Sequence, residues 1–239
     1  MQESFLFIEA KKRMSEVIFA GPEGRLEGRY HKSENENAPI ALILHQEPQL
    51  GGTMNNKVVY ALFQAFVNLG FSVLRFNFRG VGHSQGVFDG NTGELSDATA
   101  ALDWLQMDNK NAKICWVAGY SYGAWVGMQL LMRRPEINGF ISAALPANSK
   151  DFSFLAPCPT SGMIIHGAKD TLIPEASVAS LAEKLGHQRN ISIDYKLFPH
   201  ADHDFTNHLR EIHAAVIEHV TEALKKKPKK VGKHRASRT

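Results

Sequence analysis

Short apolar runs alternate along this chain with longer segments whose apolar residues recur at helical spacing, and this alternation restricts the fold more than any other feature. A continuous apolar run is typical of a strand buried on both faces, as in a parallel sheet covered by crossover helices. We therefore predict an α/β fold with a mostly parallel, doubly wound sheet and helices on both faces. The predicted elements are a hairpin of 17–20 and 25–30, strands at 40–44, 71–76, 113–118, 139–145, 162–166 and 191–198, and helices at 55–69, 95–105, 124–133, 175–185 and 206–225.

The length of 239 residues lies within the range of one α/β domain. We find no internal repeat and no linker among the elements, so we predict a single domain over 1–224. The segment 225–239 carries eight Lys or Arg residues and no acid, which accounts for the formal net charge of +3. A short Lys/Pro-rich end is typical of a solvated terminus. We predict a basic, disordered tail and no nucleic-acid partner.

The sequence also bears on location. Nowhere do eighteen apolar residues run together, so we predict no membrane span. The N-terminus has an acid before its short apolar run and no small-residue cleavage site, so we expect no export signal. Cys115 and Cys158 lie far apart and form neither a CxxC motif nor a disulfide framework, which fits a reducing compartment. We expect a cytoplasmic protein, and a homo-oligomer is an open alternative.

The pentapeptide 119–123 reads Gly-Tyr-Ser-Tyr-Gly, between a predicted strand and a predicted helix. Small residues permit the sharp turn that raises a serine hydroxyl above the sheet, in the arrangement called a nucleophile elbow. A glycine-rich turn with a capping serine is the alternative interpretation. The strand before and the helix after favour the elbow, and we predict that Ser121 is a nucleophile.

A serine hydroxyl needs a base to take its proton and a carboxylate to orient that base. In the α/β-hydrolase order the acid and then the histidine follow the serine, each after a later strand. Asp170 follows the strand 162–166, and His203 follows the strand 191–198. We predict Asp170 as the acid, with Asp151 as the alternative, and His203 as the base, with His200 as the alternative.

Acyl transfer also needs N–H donors aimed at the developing oxyanion. The fold takes one from the residue after the nucleophile and one from the loop after an early strand. We therefore predict the backbone amides of Tyr122 and Glu47, with Gln46 as the alternative to Glu47. The histidines and carboxylates show no paired spacing of the kind that metal ligands have, so we predict no metal and no cofactor.

These motifs together resemble small bacterial α/β hydrolases of the dienelactone-hydrolase-like group, from about Val17 to Leu224. The resemblance implies a triad of Ser121, Asp170 and His203 and no need for a metal or an organic cofactor. The chain departs from similar proteins at residues 46–47, where Gln-Glu replaces the usual Pro-His. The residues that carry the resemblance are Leu44-His45, Gly51 to Met54, Asn56-Lys57, 75–84, 119–125, His166-Gly167, Asp170 and His203.

The sequence thus predicts a serine hydrolase that cleaves carboxylic esters, thioesters or small amides of a small acyl substrate through an acyl-enzyme intermediate. About fifty residues separate Ser121 from Asp170, and one helix and two strands occupy them, so we predict no cap domain. An acyltransferase or a peptidase on the same triad is the alternative, because the fold does not determine the acceptor. A non-catalytic binding module is a further alternative, which the complete set of triad residues disfavours.

Overall fold

The predicted strands and helices all form in a computed structural model of the chain, which describes residues 14–90 and 92–225. The N-terminal stretch considered for an export signal and the basic tail beyond Lys225 lie outside the described residues. The strands are β1 (Met14–Gly21), β2 (Gly24–His31), β3 (Ile40–Leu44), β4 (Ser72–Phe76), β5 (Cys115–Tyr120), β6 (Ile137–Ala143), β7 (Gly162–Gly167) and β8 (Ile193–Phe198). The helices are α1 (Lys57–Asn68), α2 (Thr92–Asp108), α3 (Tyr122–Arg133), α4 (Glu175–Gly186) and α5 (Leu209–Lys225).

All eight strands join one sheet in the order β1-β2-β4-β3-β5-β6-β7-β8. The β1–β2 hairpin is antiparallel and adds to β4 in antiparallel register. Every pairing from β4 through β3 to β8 is parallel. The mostly parallel sheet is therefore confirmed. From β5 onward, spatial order follows chain order, so the loops after these strands lie side by side at one edge.

Consecutive residues of β5 show that helices cover both faces of the sheet. The ring of Trp116 lies 6.1 Å from that of Phe66 in α1 and 6.0 Å from that of His219 in α5. Val117 points the other way and packs against Gly127 in α3. Because neighbouring residues of a strand face opposite sides, α1 and α5 cover one face and α3 covers the other. The doubly wound arrangement is confirmed.

Local sequence signals explain where α1 begins and ends. The side chain of Asn56 accepts hydrogen bonds from the amides of Val58 and Val59, so it caps the first turn. The helix ends at Asn68, and Gly70 follows with a φ of 82°. Glycine adopts this left-handed conformation without a steric penalty, which is why it stops the helix.

The carboxyl edge of the parallel strands is open. Between the end of β6 and the start of β7, residues 144–161 contain only the short 3₁₀ turn Ser153–Leu155. This segment holds no inserted cap domain, as the sequence predicted. In residues 14–90 and 92–225, no helix combines the length and the apolar character needed to cross a bilayer.

Candidate active site

Ser121 occupies the turn between β5 and α3. Its backbone has φ 52° and ψ −119°, a conformation that non-glycine residues rarely adopt. Such conformations persist only where surrounding contacts hold them. Here the Ser121 amide donates to the carbonyl of Ala143, and the Ser121 carbonyl accepts from the amides of Ala124 and Trp125. The strained serine at a strand-to-helix turn is the geometry of a nucleophile elbow.

The two glycines of the pentapeptide are needed for close packing. A Cβ at Gly119 would lie 2.5 Å from the Ala124 amide nitrogen. A Cβ at Gly123 would lie 2.6 Å from the carbonyl oxygen of Leu44, at the end of β3. A Cβ atom essentially never lies within 3.0 Å of a non-bonded heavy atom. The missing side chains therefore let α3 begin directly against β5 and β3.

Asp170 and His203 contact each other. His203 Nδ1 lies 2.7 Å from Asp170 Oδ2, and the Asp170 side chain is fully buried. The other oxygen, Oδ1, accepts from the amides of Leu172 and Ile173 at 2.8 and 2.9 Å. A carboxylate accepts, so His203 donates its Nδ1–H and keeps Nε2 as a proton acceptor. This tautomer is the one a general base requires.

The environment of Asp170 keeps it ionised. Burial by itself would raise the pKa of this carboxyl group. The hydrogen bonds from His203 and from the amides of Ile173 and Leu172 oppose burial and leave the pKa below its ordinary value. Asp170 is therefore negatively charged near neutral pH and can stabilise a protonated His203.

Gly167 explains how the histidine loop reaches the acid. The amides of Ala168 and Lys169 donate to the carbonyls of Phe198 and Ala201, which ties the loop after β7 to the loop after β8. A Cβ at Gly167 would lie 2.7 Å from the carbonyl oxygen of Asp202. Glycine at this position allows the two loops to approach closely.

The alternative acid and base lie in other surroundings. The Asp151 carboxylate is exposed and accepts hydrogen bonds from the amide and hydroxyl of Ser153, so it caps the short turn after β6. His200 is exposed on the same loop as His203. The contact with Asp170 is made by His203. The geometry favours the residues predicted first over Asp151 and His200.

His45 organises the loop that holds Glu47, a role that the sequence analysis did not assign. It is fully buried, and its Nε2 accepts from the amide of Phe78 at 3.1 Å. Its Nδ1–H donates to the carbonyl of Gln46 at 2.6 Å. In a trans peptide the carbonyl and the next N–H point in opposite directions. His45 thereby directs the Glu47 amide away from the core.

Burial lowers the pKa of His45 to about 4, against the opposing effect of its bond to Gln46, so its ring is neutral at pH 7. Tyr122, the other predicted oxyanion donor, is the first residue of α3. Amides in the first turn of a helix have no partner within that helix. Tyr122 follows β5 and Glu47 follows β3, and these two strands are paired in parallel. The amides of Tyr122 and Glu47 therefore lie at the same edge of the sheet. Their assignment as oxyanion donors stays a prediction.

The glycine-rich segment 79–86 is anchored to α2 through its first residue. Buried Arg79 binds Asp97 in two places, with Nε 3.0 Å from Oδ2 and Nη2 2.8 Å from Oδ1. The Tyr122 hydroxyl donates to buried Glu94 at 2.9 Å. Within the described part of the chain, no group of three or more His, Cys, Asp or Glu side chains is arranged to hold a metal ion.

Comparison with known proteins agrees with this fold. Residues 26–151, more than half of the chain, match the model of the X-Pro dipeptidyl-peptidase family S15. The uncharacterized protein RP471 of Rickettsia prowazekii is 50% identical over 211 residues, which cover 87% of this chain and 89% of that protein.

Two solved structures are also similar. The Agrobacterium tumefaciens protein ATU1826, a candidate α/β hydrolase of unknown function, is 55% identical with a TM-score of 0.86, covering 88% of this chain and 97% of that one. An α/β serine hydrolase homologue from Coxiella burnetii is 31% identical with a TM-score of 0.77, covering 85% of this chain and 96% of that one. The chain therefore belongs to the α/β serine hydrolases, and it matches the S15 family model over residues 26–151.

Proposed function

We propose that this chain hydrolyses carboxylic esters, with Ser121 as the nucleophile, His203 as the general base and Asp170 as the orienting acid. The observation that carries the proposal is the 2.7 Å contact between His203 Nδ1 and Asp170 Oδ2, which leaves Nε2 to accept a proton. Supporting it, Ser121 lies in a strained turn at the same edge of the sheet. A positioned base and a half-buried serine at one edge can carry out acyl transfer.

The proposed reaction has two halves. Ser121 Oγ attacks the substrate carbonyl while His203 Nε2 takes its proton, and Asp170 stabilises the resulting imidazolium. The tetrahedral intermediate collapses to an acyl-enzyme when His203 returns the proton to the leaving alcohol. Water then attacks the acyl-enzyme with the same base, which releases the acid and restores the serine.

The amides of Tyr122 and Glu47 are the proposed donors to the oxyanion. They act where negative charge develops, so they favour the transition state over the bound ester. The Glu47 carboxylate lies beside its own amide and repels negative charge. We therefore expect neutral acyl groups to react faster than anionic ones. The open carboxyl edge, with no cap in residues 144–161, suits substrates that approach from bulk solvent.

The substitution Ser121→Ala tests the central assignment. We expect turnover of a p-nitrophenyl ester to fall by roughly 10⁴–10⁶, because nucleophile and base act as a unit. A fluorophosphonate probe should label the unmodified protein and not the variant. Ser177→Ala, in α4, is the matched control and should retain activity. Full ester turnover in Ser121→Ala would overturn the proposal.

A peptidase is the second candidate, and the match to the X-Pro dipeptidyl-peptidase model favours it. Amides react through the same acyl-enzyme chemistry, so the two functions differ in substrate and not in the triad. Gly-Pro-p-nitroanilide and p-nitrophenyl acetate separate them when assayed side by side. We expect the ester to react faster. A kcat/KM that is higher for the dipeptidyl anilide would favour the peptidase.

A further inference from the structure

Tyr120 precedes Ser121 and contacts the segment of the proposed base. Its hydroxyl lies 2.7 Å from Asp204 Oδ1 and 3.3 Å from the carbonyl oxygen of His203. Its ring centroid lies 5.5 Å from that of the His203 imidazole. One buried side chain thus connects the last residue of β5 to the loop after β8.

The Tyr120 hydroxyl is a permanent donor. Burial, reinforced by the hydrogen bond to Asp204, raises the pKa of this phenol far above its ordinary value. It therefore keeps its proton throughout the pH range in which a hydrolase works. A phenol that donates to a carboxylate forms one of the stronger types of hydrogen bond in proteins.

The segment after His203 needs such a restraint. Phe205 and Asn207 have φ values of 52° and 64°, a left-handed conformation that is costly for a bulky residue such as phenylalanine. Phe205 is fully buried, so its side chain cannot leave the core to relieve the strain. Strained segments keep their conformation only where neighbouring groups hold them. Tyr120 supplies a hydrogen bond at the position between the base and the strained residue.

We propose that Tyr120 is a positioning residue, which tethers the backbone at His203 and Asp204 to the nucleophile elbow and so sets the separation of base and nucleophile. Asp170 holds only the Nδ1 end of the imidazole, and this hydrogen bond does not fix the backbone that carries the ring. The second restraint acts on the backbone, from the residue next to Ser121. This inference rests on the proposed function, because it assigns a role toward the proposed base.

The test compares Tyr120→Phe, Asp204→Ala and their combination, with p-nitrophenyl acetate as the substrate. We expect each single variant to lower kcat by about tenfold with little change in KM, since misplacing a catalytic group by about 1 Å is costly. The double variant should lose no more than Tyr120→Phe alone, because that change already removes the hydroxyl that makes both contacts. Asp204→Asn keeps an acceptor oxygen and should restore most of the rate.

Tyr30→Phe is the matched control. Tyr30 is buried, and its hydroxyl donates to Asp108 at 2.8 Å, at the end of α2 away from the proposed site. The control should lower the melting temperature as Tyr120→Phe does and leave kcat unchanged. The proposed role of Tyr120 would be refuted by a wild-type kcat in Tyr120→Phe. It would also be refuted if the losses in kcat of the two single variants added in the double variant.

An NMR measurement separates this inference from the proposed function. The Nδ1–H of His203 should give a downfield proton resonance in the wild-type protein, because it donates to a buried carboxylate. In Tyr120→Phe this proton should exchange with water faster, whether or not esters are hydrolysed. Absence of Ser121-dependent ester turnover in the wild-type protein would refute the proposed function. An unchanged exchange rate of the His203 Nδ1–H in Tyr120→Phe would refute the positioning role of Tyr120, whether or not the protein hydrolyses esters.

Discussion

Asp170 receives three hydrogen bonds while its side chain is fully buried. Two come from the amides of Leu172 and Ile173 and one from His203. Both oxygens are engaged, so the carboxylate cannot rotate away from the imidazole. The pKa of Asp170 is lowered because these bonds outweigh burial. A fixed, charged acceptor is what a histidine base needs for tautomer control.

Asp170→Asn should therefore lower ester turnover by on the order of 10⁴, since the amide removes both the charge and the control of the tautomer. Steady-state kinetics on a p-nitrophenyl ester measure this directly. Asp151→Asn is the control, because Asp151 caps the turn at Ser153 and does not touch His203. Loss of activity in Asp151→Asn, with Asp170→Asn active, would show that the acid is misassigned.

His203→Ala should abolish turnover, because it removes the group that accepts the serine proton. His200→Ala should retain most of the rate, since His200 is exposed and the hydrogen bond to Asp170 is made by His203. The pair differs by three positions on one loop, which makes each a control for general damage to that loop. If His200→Ala is inactive and His203→Ala is active, the base is His200, and the assignment of Ser121 as the nucleophile still holds.

At the scale of elements, α3 and β3 meet at a glycine. The carbonyl of Leu44 occupies the space that a Gly123 side chain would fill. Farther along the same helix, a Cβ at Gly127 would meet Val117 and Leu44 at ordinary separations of 3.5 and 3.6 Å. The start of α3 at Gly123 thus packs on β3 too closely for any side chain. The next turn, at Gly127, leaves room for a methyl group.

Gly123→Ala should push the start of α3 from β3 and shift the Tyr122 amide relative to that of Glu47. We expect a loss of about 1–3 kcal/mol in the free energy of unfolding, as for other overpacked sites, together with a lower kcat. Gly127→Ala should instead be neutral or add up to about 1 kcal/mol, because alanine favours a helix over glycine. Urea unfolding and ester kinetics on both variants check this, and equal effects at the two sites would contradict it.

Element types could be predicted from the sequence, and element ends could not. The strand predicted at 113–118 is β5, Cys115–Tyr120, and it runs into the pentapeptide because Gly119 stays extended. The 3₁₀ turns Pro48–Leu50 and Ser153–Leu155 were not predicted, since three residues are too short to show a period.

The candidate site was predictable to a similar degree. Chain order was enough to predict that Asp170 and His203 lie together, and their catalytic roles stay a prediction. The contact of Tyr120 with Asp204 joins residues far apart in sequence, and no local pattern encodes it. The role of His45 likewise depends on where the amide of Phe78 lies, which only the packed sheet determines.

At the scale of the whole molecule, three histidines within residues 14–90 and 92–225 have a pKa below the ordinary value of this side chain. Burial lowers the pKa of His45, at the end of β3, to about 4. Burial also lowers the pKa of His166 in β7 and of His213 in α5, against weaker opposing interactions. Each ring is neutral in the folded protein at a pH where it would be charged in the unfolded chain. Protonation therefore favours unfolding.

Stability should fall as the pH drops from about 6.5 toward 4. In this window the unfolded chain binds more protons than the folded protein, so the free energy of unfolding rises with pH. His45 alone corresponds to about 3 kcal/mol across the window. Urea unfolding at several pH values measures the slope. His45→Asn should be less stable at pH 7 and have a shallower slope, and an unchanged slope in this variant would contradict the assignment to His45.

The agreement of strand order and chain order from β5 to β8 also has a consequence for biosynthesis. A chain leaves the ribosome from its N-terminus, so the segment with Ser121 emerges well before β7 brings Asp170 and β8 brings His203. A nascent chain that has reached only β6 carries the proposed nucleophile without acid or base. Under the proposed function, ester hydrolysis would then begin only once β8 has docked on β7 and brought His203 to Asp170.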